Sequence, residues 1–264
     1  MKSTGIYSNK KDIIQELISE SDDGVVYADY NGLHFTSVFQ PIYDRHQQLY
    51  AFESLVRIHD ENANSVDPSL FFSQIERDAT ENIVHTLLCG KIHLANFLQS
   101  KFNHVKLFIN ASPSVFKSLA NTPEAVERFV QRSYELGSTP CQVVFEITEF
   151  LESDLNAIVK GKECLTEYGI ETALDDFGTL YSTPKRAMAI KAPYLKLDKS
   201  IVTDKNKVTE AVRLAKKIHA ITIAEGIEDR STANMCVDLG VDLFQGYYFC
   251  KPLSVSALKS GLHC

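Results

Sequence analysis

The sequence lacks the features of a membrane or secreted protein. It has no stretch of about 18 apolar residues that could span a bilayer, and no secretory-type apolar segment within residues 1–12. Tryptophan is absent from the chain as well. It also has no low-complexity stretch, and its 44% apolar and 23% charged residues are typical of a soluble globular chain. We therefore expect a cytoplasmic protein with no membrane partner.

Basic residues are in the minority. The 27 lysines and arginines are outnumbered by 34 aspartates and glutamates, which gives a formal net charge of −7. Binding to polymeric nucleic acid depends on a basic face that releases counterions, so we do not expect a nucleic-acid partner. The charge still allows a small anionic ligand that is held through metal ions.

The cysteines include no C-x-x-C pair. The six are scattered along the chain, as Cys89, Cys141, Cys164, Cys236, Cys250 and Cys264. This spacing is not that of a zinc site or of a disulfide framework, so it predicts reduced thiols.

The chain divides into a short extension and one large domain. Residues 1–34 include an amphipathic stretch, KKDIIQELISE, whose apolar residues form one stripe of a helix. We interpret 1–34 as a helical extension that packs on the main body, with a partner or dimer contact as the alternative. Residues 35–264 form the domain that carries the function.

From residue 35 onward, short apolar runs alternate with longer stretches of helical periodicity. The eight predicted strands are FTSVFQPIY, LYAFESLV, VKLFIN, QVVFEIT, IETALDDF, YLKLDKS, AITIAEGI and VDLFQGYYF. This alternation predicts an α/β fold, and eight strands in about 230 residues match a closed (β/α)₈ barrel of the TIM type. An open doubly wound sheet is the alternative, weakened because no strand precedes a G-x-G-x-x-G turn.

Polar side chains lie in or just after seven of these apolar runs. The residues are Glu53, Asn110, Glu146, Glu149, Asp175, Asp176, Lys196, Asp198, Glu225, Glu228 and Gln245. In a barrel, the carboxyl ends of the strands meet at one mouth, where active sites lie. Carboxylates that share such a site repel one another by up to about 4 kcal/mol per close pair.

Divalent cations are the simplest compensation for these carboxylates. Oxygen ligands from glutamate, aspartate and asparagine select hard ions such as Mg²⁺ or Mn²⁺. Two such ions are the usual means of attacking a phosphodiester, so the pattern predicts a metal-dependent hydrolase.

Eight motifs, in order, carry a resemblance to a known family. They are FQPIYD, FESLVR, INASP, FEITE, DDFGT, YLKLDKS, AEGIED and QGYYFCKP, and they run from about Phe35 to Pro252. The chain resembles the EAL-domain cyclic-di-GMP phosphodiesterases, with FESLVR where E-A-L-x-R is expected. The resemblance implies a (β/α)₈ barrel with an antiparallel first strand. It also implies hydrolysis of cyclic di-GMP to linear pGpG at a two-metal site for Mg²⁺ or Mn²⁺.

The resemblance further implies roles for individual residues. The implied metal ligands are Glu53, Asn110, Glu146, Asp175, Asp176 at the second ion, and Glu225. The implied catalytic residues are Glu225 as ligand or general base, Lys196, which would orient the attacking water, and Glu53. The implied ligand contacts are Gln40, Arg57, Gln245 and Glu228, and Glu149 would support the loop after DDFG.

Four positions depart from the family pattern. Ser54 replaces an alanine, Ile58 stands where a tryptophan is usual, and Pro184 follows where a helix normally begins with leucine. Leu180 occupies a glycine position, where a left-handed backbone would cost a leucine about 1–2 kcal/mol. We expect little effect from Ser54, a looser contact with the ligand or the neighbouring loop at Ile58, and altered metal affinity, dimerisation or turnover from the Leu180 loop.

Two alternatives to an active phosphodiesterase stay open. One is a catalytically weak or inactive EAL-like module that binds cyclic di-GMP or a protein partner in regulation, which Leu180 and Ile58 favour. The other is a metal-dependent phosphodiesterase for a different nucleotide. The complete set of metal ligands favours the active enzyme, and the sequence leaves a homodimer open.

Overall fold

The computed structural model describes residues 16–75, 78–122, 124–135, 137–148, 155–179 and 182–261. The strands are β1 (Ile18–Glu20), β2 (Val26–Tyr30), β3 (Leu33–Asp44), β4 (Leu49–Asp60), β5 (Ser65–Val66), β6 (Lys106–Ala111), β7 (Val143–Ile147), β8 (Glu171–Phe177), β9 (Tyr194–Leu197), β10 (Ile221–Ala224), β11 (Leu243–Phe244) and β12 (Leu253–Ser254). The helices are α1 (Pro68–Ile75), α2 (Ala79–Leu98), α3 (Pro113–Asn121), α4 (Glu124–Glu135), α5 (Leu155–Glu167), α6 (Pro184–Ile190), α7 (Lys199–Val202), α8 (Lys205–Ile218), α9 (Arg230–Asp238) and α10 (Val255–Ser260).

Eight of these strands close into a barrel. The order is β3-β11-β10-β9-β8-β7-β6-β4, and an additional pairing of β3 with β4 completes the ring. β3 is antiparallel to β4 and to β11, whereas the other neighbouring pairs are parallel. The prediction of a TIM-type barrel with an antiparallel first strand is confirmed, and the open doubly wound alternative is wrong.

A tight hairpin makes the first barrel strand antiparallel. Asp44 and Gln48 pair across the turn between β3 and β4, and Gln47 has a left-handed φ of 58°. The carboxylate of Asp44 accepts hydrogen bonds from the backbone N–H of His46 and of Gln48, both at 2.8 Å. So short a connection can join only antiparallel strands, because a parallel pair needs a longer crossover.

Capping residues set several helix boundaries. The side chain of Asp78 caps α2, so this helix begins at Ala79 and is separate from α1, which ends at Ile75. Gly169 and Gly240 follow α5 and α9 with φ of 76° and 84°, as expected of glycines that end helices. Pro184 opens α6 behind the cap Thr183, a position where a proline is tolerated because its missing N–H would have no partner in the helix.

The described part of the N-terminal extension is β-structure. Residues 18–20 and 26–30 form β1 and β2, which extend the sheet beside β3. The prediction of a helix at residues 18–20 is therefore wrong, while the rest of the predicted helix lies mostly outside the described residues. The side chain of Asn96 in α2 explains the strand at Val26, because it bonds the backbone N–H at 2.8 Å and the backbone C=O at 2.7 Å.

Two of the sequence departures are part of the packed interior. Ser54 is buried and its hydroxyl donates to the carbonyl of Phe108 at 2.8 Å, and the small effect that we expect of it stays a prediction. Ile58 is 1% exposed and packs in an apolar cluster with Phe35 and Leu88. It is not among the residues that line the cavity described below, and the looser contact that we expect at this position stays a prediction.

The cysteines only partly match the expectation of reduced thiols. Cys89, Cys141, Cys164 and Cys236 are free. Cys250 is disulfide-bonded, and its partner lies outside the described residues, so the prediction is wrong for this position. Among the described helices, none is both long and apolar enough to cross a membrane.

Candidate metal centre and ligand cavity

The barrel interior consists of an apolar layer beneath a polar one. Each barrel strand contributes one residue to an apolar cluster, namely Ile42, Ala51, Phe108, Val144, Ala173, Tyr194, Ile223 and Leu243. In each parallel strand, a polar residue stands two positions after this apolar residue. In antiparallel β3, the polar residue stands two positions before it. These polar residues are Gln40, Glu53, Asn110, Glu146, Asp175, Lys196, Glu225 and Gln245. Since residues i and i+2 share one face of a strand, the polar set lies one level closer to the barrel mouth.

Lys196 lies at the centre of four carboxylates. Its Nζ is 2.6 Å from Glu146 Oε1, 2.9 Å from Asp175 Oδ1, 2.9 Å from Glu225 Oε1 and 3.2 Å from Glu53 Oε1. The lysine is 1% exposed and Glu146 is fully buried, so these contacts are screened little by water. The structure thus brings together five of the predicted site residues from five different strands or strand ends.

The buried charges shift the pKa values of these groups in different directions. Burial raises the pKa of Glu146 and of Glu225 well above its ordinary range, against the attraction of Lys196. Burial also raises the pKa of Asp175. The pKa of Glu53 is lowered, because attraction by Lys196 and a hydrogen bond from Gln245 outweigh its burial. The four carboxylates raise the pKa of Lys196, even though burial opposes its charge.

A local irregularity in β8 adds a further carboxylate to the cluster. The pairing of β8 with β9 shifts register between Leu174 and Phe177, and Asp176 has a left-handed φ of 51°. In a regular strand Asp175 and Asp176 would point to opposite faces. With this irregularity, oxygens of Asp175, Asp176 and Glu225 all lie within 4.8 Å of one another. Aspartate adopts this backbone more readily than most residues.

Gln40 and Gln245 hold Glu53 in place. Gln245 Nε2 donates to Glu53 Oε2 at 2.6 Å and to Gln40 Oε1 at 3.3 Å. Gln40 Nε2 donates in turn to the carbonyl of Cys250 at 3.3 Å. Both ends of the Gln40 amide are therefore bonded within the protein, and the ligand contacts expected of the two glutamines stay predictions.

A cavity of about 680 Å³ opens beside the carboxylate cluster. Arg57, Asn110, Asp175 and Asp176 line it, so the predicted ligand contact and several predicted metal ligands share one space. The guanidinium of Arg57 donates to the carbonyl of Val56 at 2.9 Å, and within the described ranges it forms no ion pair with a carboxylate. The simpler expectation for an arginine, a surface ion pair, is thus not what the structure shows.

Some predicted residues are not part of this arrangement. Glu228 follows β10 and is exposed, and its support of the substrate end stays a prediction. Glu149 and Leu180 lie outside the described residues, so their roles in the loop also stay predictions.

One wall of the cavity was not predicted from the sequence. Helix α2 supplies Asn82, Thr86 and His93, and the segment after β6 supplies Ser112. Periodicity could have placed these residues on the buried face of an amphipathic helix. It could not have shown that this face borders a cavity instead of the apolar core.

The donor set fits a divalent cation. Four carboxylates surround one lysine, and among the described residues the buried Glu146 Oε2 has no hydrogen-bond partner. Carboxylate and amide oxygens are hard donors of the kind that Mg²⁺ and Mn²⁺ prefer. A cation would supply the positive charge that a single lysine does not.

A comparison with protein-family models decides the family. The model of the EAL domain matches residues 29–252, which include the whole barrel and the carboxylate cluster. This chain belongs to the EAL-domain family. The strand that carries Glu53 in the sequence FESL is the one on which the resemblance to E-A-L rests.

Curated EAL-domain relatives are longer than this chain. The "Oxygen sensor protein DosP" of Escherichia coli (strain K12) is 29% identical over 228 residues, which cover 82% of this chain and 28% of that protein. The "Cyclic di-GMP phosphodiesterase PdeF" of the same organism is 27% identical over 235 residues, which cover 83% of this chain and 30% of that protein. The chain therefore spans less than a third of the length of these relatives.

Solved structures of EAL proteins share this fold. Klebsiella pneumoniae BlrP1, in a complex with calcium and cyclic di-GMP, matches with a TM-score of 0.68 and 25% identity, over 83% of this chain and 56% of that one. Its manganese complex with cyclic di-GMP at pH 6 matches with a TM-score of 0.69 and the same identity and coverage. Both structures of this relative thus hold a divalent cation and cyclic di-GMP.

Proposed function

We propose that this chain hydrolyses cyclic di-GMP to linear pGpG, with two divalent cations, Mg²⁺ or Mn²⁺, at the carboxylate cluster. The observation that carries this proposal is the cluster of four carboxylates around Lys196, three of them buried and Glu225 partly exposed, with Asp176 turned toward it. Membership of the EAL family, and relatives that are named as cyclic di-GMP phosphodiesterases, support the substrate.

The cluster divides into two groups of ligands. Glu53, Asn110, Glu146 and Asp175 would hold one cation, and Asp176 with Glu225 would hold the second. When bound, the ions would polarise the phosphate and supply a water nucleophile at neutral pH.

Glu225 would act as the general base. Its carboxylate lies within reach of those of Asp175 and Asp176, where a water held by the cations would lie, and general bases act over such short distances. It would take a proton from the attacking water while a new bond forms between that oxygen and phosphorus. The bond from phosphorus to the ribose 3′-oxygen would break, and the proton that Glu225 accepted would pass through solvent to this oxygen, which leaves as a hydroxyl.

Arg57 would bind the ligand through its forked donors. It lines the cavity beside the cluster, and the planar guanidinium suits a phosphate or the acceptor edge of guanine. Lys196 would keep the carboxylates in place and offset their charge, since it contacts four of them.

The test is incubation of the purified chain with cyclic di-GMP and Mn²⁺ or Mg²⁺, with pGpG quantified by chromatography. We expect excess chelator to abolish hydrolysis and added Mn²⁺ or Mg²⁺ to restore it. Calcium should inhibit, because its larger and looser coordination misplaces the attacking water. Hydrolysis that persists in excess chelator would exclude the metal mechanism.

Variants separate the enzyme from a binding module. Glu225→Gln should abolish turnover while cyclic di-GMP binding stays within about tenfold, because a base acts mainly in the transition state. Arg57→Ala should weaken binding instead, and Glu210→Gln on the exposed surface of α8 is the matched control for the first change. If the wild-type chain binds cyclic di-GMP but yields no pGpG with any metal, it is a regulatory module.

A further inference from the structure

One wall of the cavity is a stripe of helix α2. Asn82, Thr86, Cys89 and His93 line the cavity at successive spacings of four, three and four residues. Residues at these spacings lie on one face of a helix. The proposed hydrolysis assigns this face no role.

The polar groups of this stripe differ in their hydrogen bonds. Thr86 Oγ1 donates to Ser112 Oγ at 3.4 Å, and His93 Nδ1 shares a hydrogen bond of 2.7 Å with Ser37 Oγ. Asn82 is 2% exposed, and its Oδ1 has no hydrogen-bond partner within the described part of the chain. Asn82 is thus the member of the stripe whose buried acceptor the protein itself leaves unsatisfied.

A buried acceptor of this kind selects what can bind against it. A buried amide oxygen without a partner is unfavourable, so a ligand that brings an N–H or O–H donor gains by binding there. A phosphate oxygen is itself an acceptor and gains nothing from Asn82 Oδ1. Phosphate would therefore bind at Arg57 and the metal cluster, and the part of the ligand near Asn82 would be a base or a ribose.

The surroundings of Asn82 favour a base. Pro68, Phe72 and Cys89 line the same cavity and offer apolar surface to the faces of a flat ring. The edge of guanine carries N1–H and N2–H₂ donors beside the O6 acceptor, whereas the corresponding ring position of adenine is an acceptor.

We propose that Asn82 determines base specificity, with its Oδ1 accepting a hydrogen bond from N1–H or N2–H₂ of one guanine of the substrate. This inference rests on the proposed function, because the substrate is taken to be a cyclic dinucleotide. An acceptor at this point forms a hydrogen bond with guanine, whereas the ring nitrogen of adenine would face another acceptor and form none.

The experiment measures the dissociation constants of cyclic di-GMP and cyclic di-AMP for the full chain in calcium, by isothermal titration calorimetry. Asn82→Leu should raise the dissociation constant for cyclic di-GMP by about five- to tenfold, the effect of one neutral hydrogen bond, and leave that for cyclic di-AMP within about twofold. Asn82→Asp keeps an acceptor and should keep the preference for guanine. The matched control is Asn121→Leu, an exposed site at the end of α3 that does not line the cavity.

Thermal unfolding shows whether the variants fold. Asn82→Leu should unfold at or above the wild-type temperature, because it removes an unsatisfied buried polar group. If it unfolds earlier, Asn82→Ser provides the same comparison of the two ligands with a smaller change in volume.

Two results would overturn the inference. Equal fold increases in both dissociation constants would mean a contact with the shared ribose or a structural role, and unchanged dissociation constants for both ligands would mean that Asn82 does not contact the base. The proposed function fails separately, if the wild-type chain binds cyclic di-GMP but produces no pGpG with Mn²⁺ or Mg²⁺. A wild-type chain that binds neither ligand would refute both.

Discussion

Replacing Lys196 by methionine should destabilise the metal-free protein strongly. Methionine is similar in length but brings no charge, so the change leaves four carboxylates around an apolar side chain. The lysine is 1% exposed and contacts these carboxylates at 2.6 to 3.2 Å. Water can therefore replace little of the lost interaction.

The magnitude follows from these distances. At an effective dielectric constant of about 20, each contact near 3 Å is worth about 5–6 kcal/mol before any offset. Burial of the ions and repulsion among the carboxylates offset most of this sum. Removing one partner of a buried ion pair generally costs about 3–5 kcal/mol in the free energy of unfolding, and we expect at least this much for Lys196→Met.

The assay is thermal unfolding in excess chelator, followed by circular dichroism. A loss of 3–5 kcal/mol corresponds to a melting temperature lowered by about 6–20 °C in a chain of this size. Added Mn²⁺ should recover part of the loss, because a dication provides positive charge to the same carboxylates. Lys101→Met is the control, since Lys101 is exposed and donates to the carbonyl of Ser260, and we expect it to change the melting temperature little.

The loss should also depend on pH. Burial raises the pKa of Glu146 and of Glu225, so the folded protein holds protons that the unfolded chain releases. Stability from such groups is present at low pH and is lost as the pH rises through their folded pKa values. Protonated carboxylates need no cation, so Lys196→Met should lose less stability at about pH 5.5 than at about pH 8.

A melting temperature within about 2 °C of wild type, in chelator at about pH 8, would refute this reasoning. It would mean that the carboxylates do not depend on the lysine charge, and that protonation or solvent already compensates them. A loss of stability that Mn²⁺ does not reduce would instead mean that Lys196 and the cation do not act on the same carboxylates.

Two further predictions concern parts of the fold away from the cluster. Tyr194→Phe should lower the free energy of unfolding by about 1–3 kcal/mol in urea titrations, because the Tyr194 hydroxyl bonds to Tyr50 at 2.7 Å and to Glu171 at 3.2 Å. These contacts lie at the other end of the barrel, so turnover should not change, and a lower turnover number would contradict this prediction. Asn96→Ala should lower the free energy of unfolding by about 2–3 kcal/mol and expose the backbone amide of Val26 to hydrogen exchange, because the backbone N–H and C=O of Val26 lose the side chain that bonds them. Unchanged protection of the Val26 amide would show that Asn96 does not hold this strand in place.

The sequence alone predicted the barrel and most of its polar layer. Strand–helix alternation is a local property of the chain, and eight repeats of it leave few folds to choose from. In each of the parallel barrel strands, a polar residue stands two positions after an apolar one, as Glu146 follows Val144. This spacing places both on one face of a strand wherever the strand lies.

Contacts within the cluster depended on the tertiary structure. That Lys196 meets Glu53 and Glu146 follows from the register of strands that are far apart in sequence, which no local pattern fixes. The orientation of Asp176 depends on an irregularity in β8 that the letters DDF do not reveal.

Tertiary packing likewise decided the extension and the cavity wall. Residues 18–20 have helical periodicity, yet they pair with β2, because the free edge of a sheet satisfies the backbone groups of a strand laid against it. The stripe of α2 that includes Asn82 has the pattern of any buried helix face. Periodicity tells which side of a helix is covered, and only the arrangement of the neighbouring strands determines whether a core or a ligand cavity covers it.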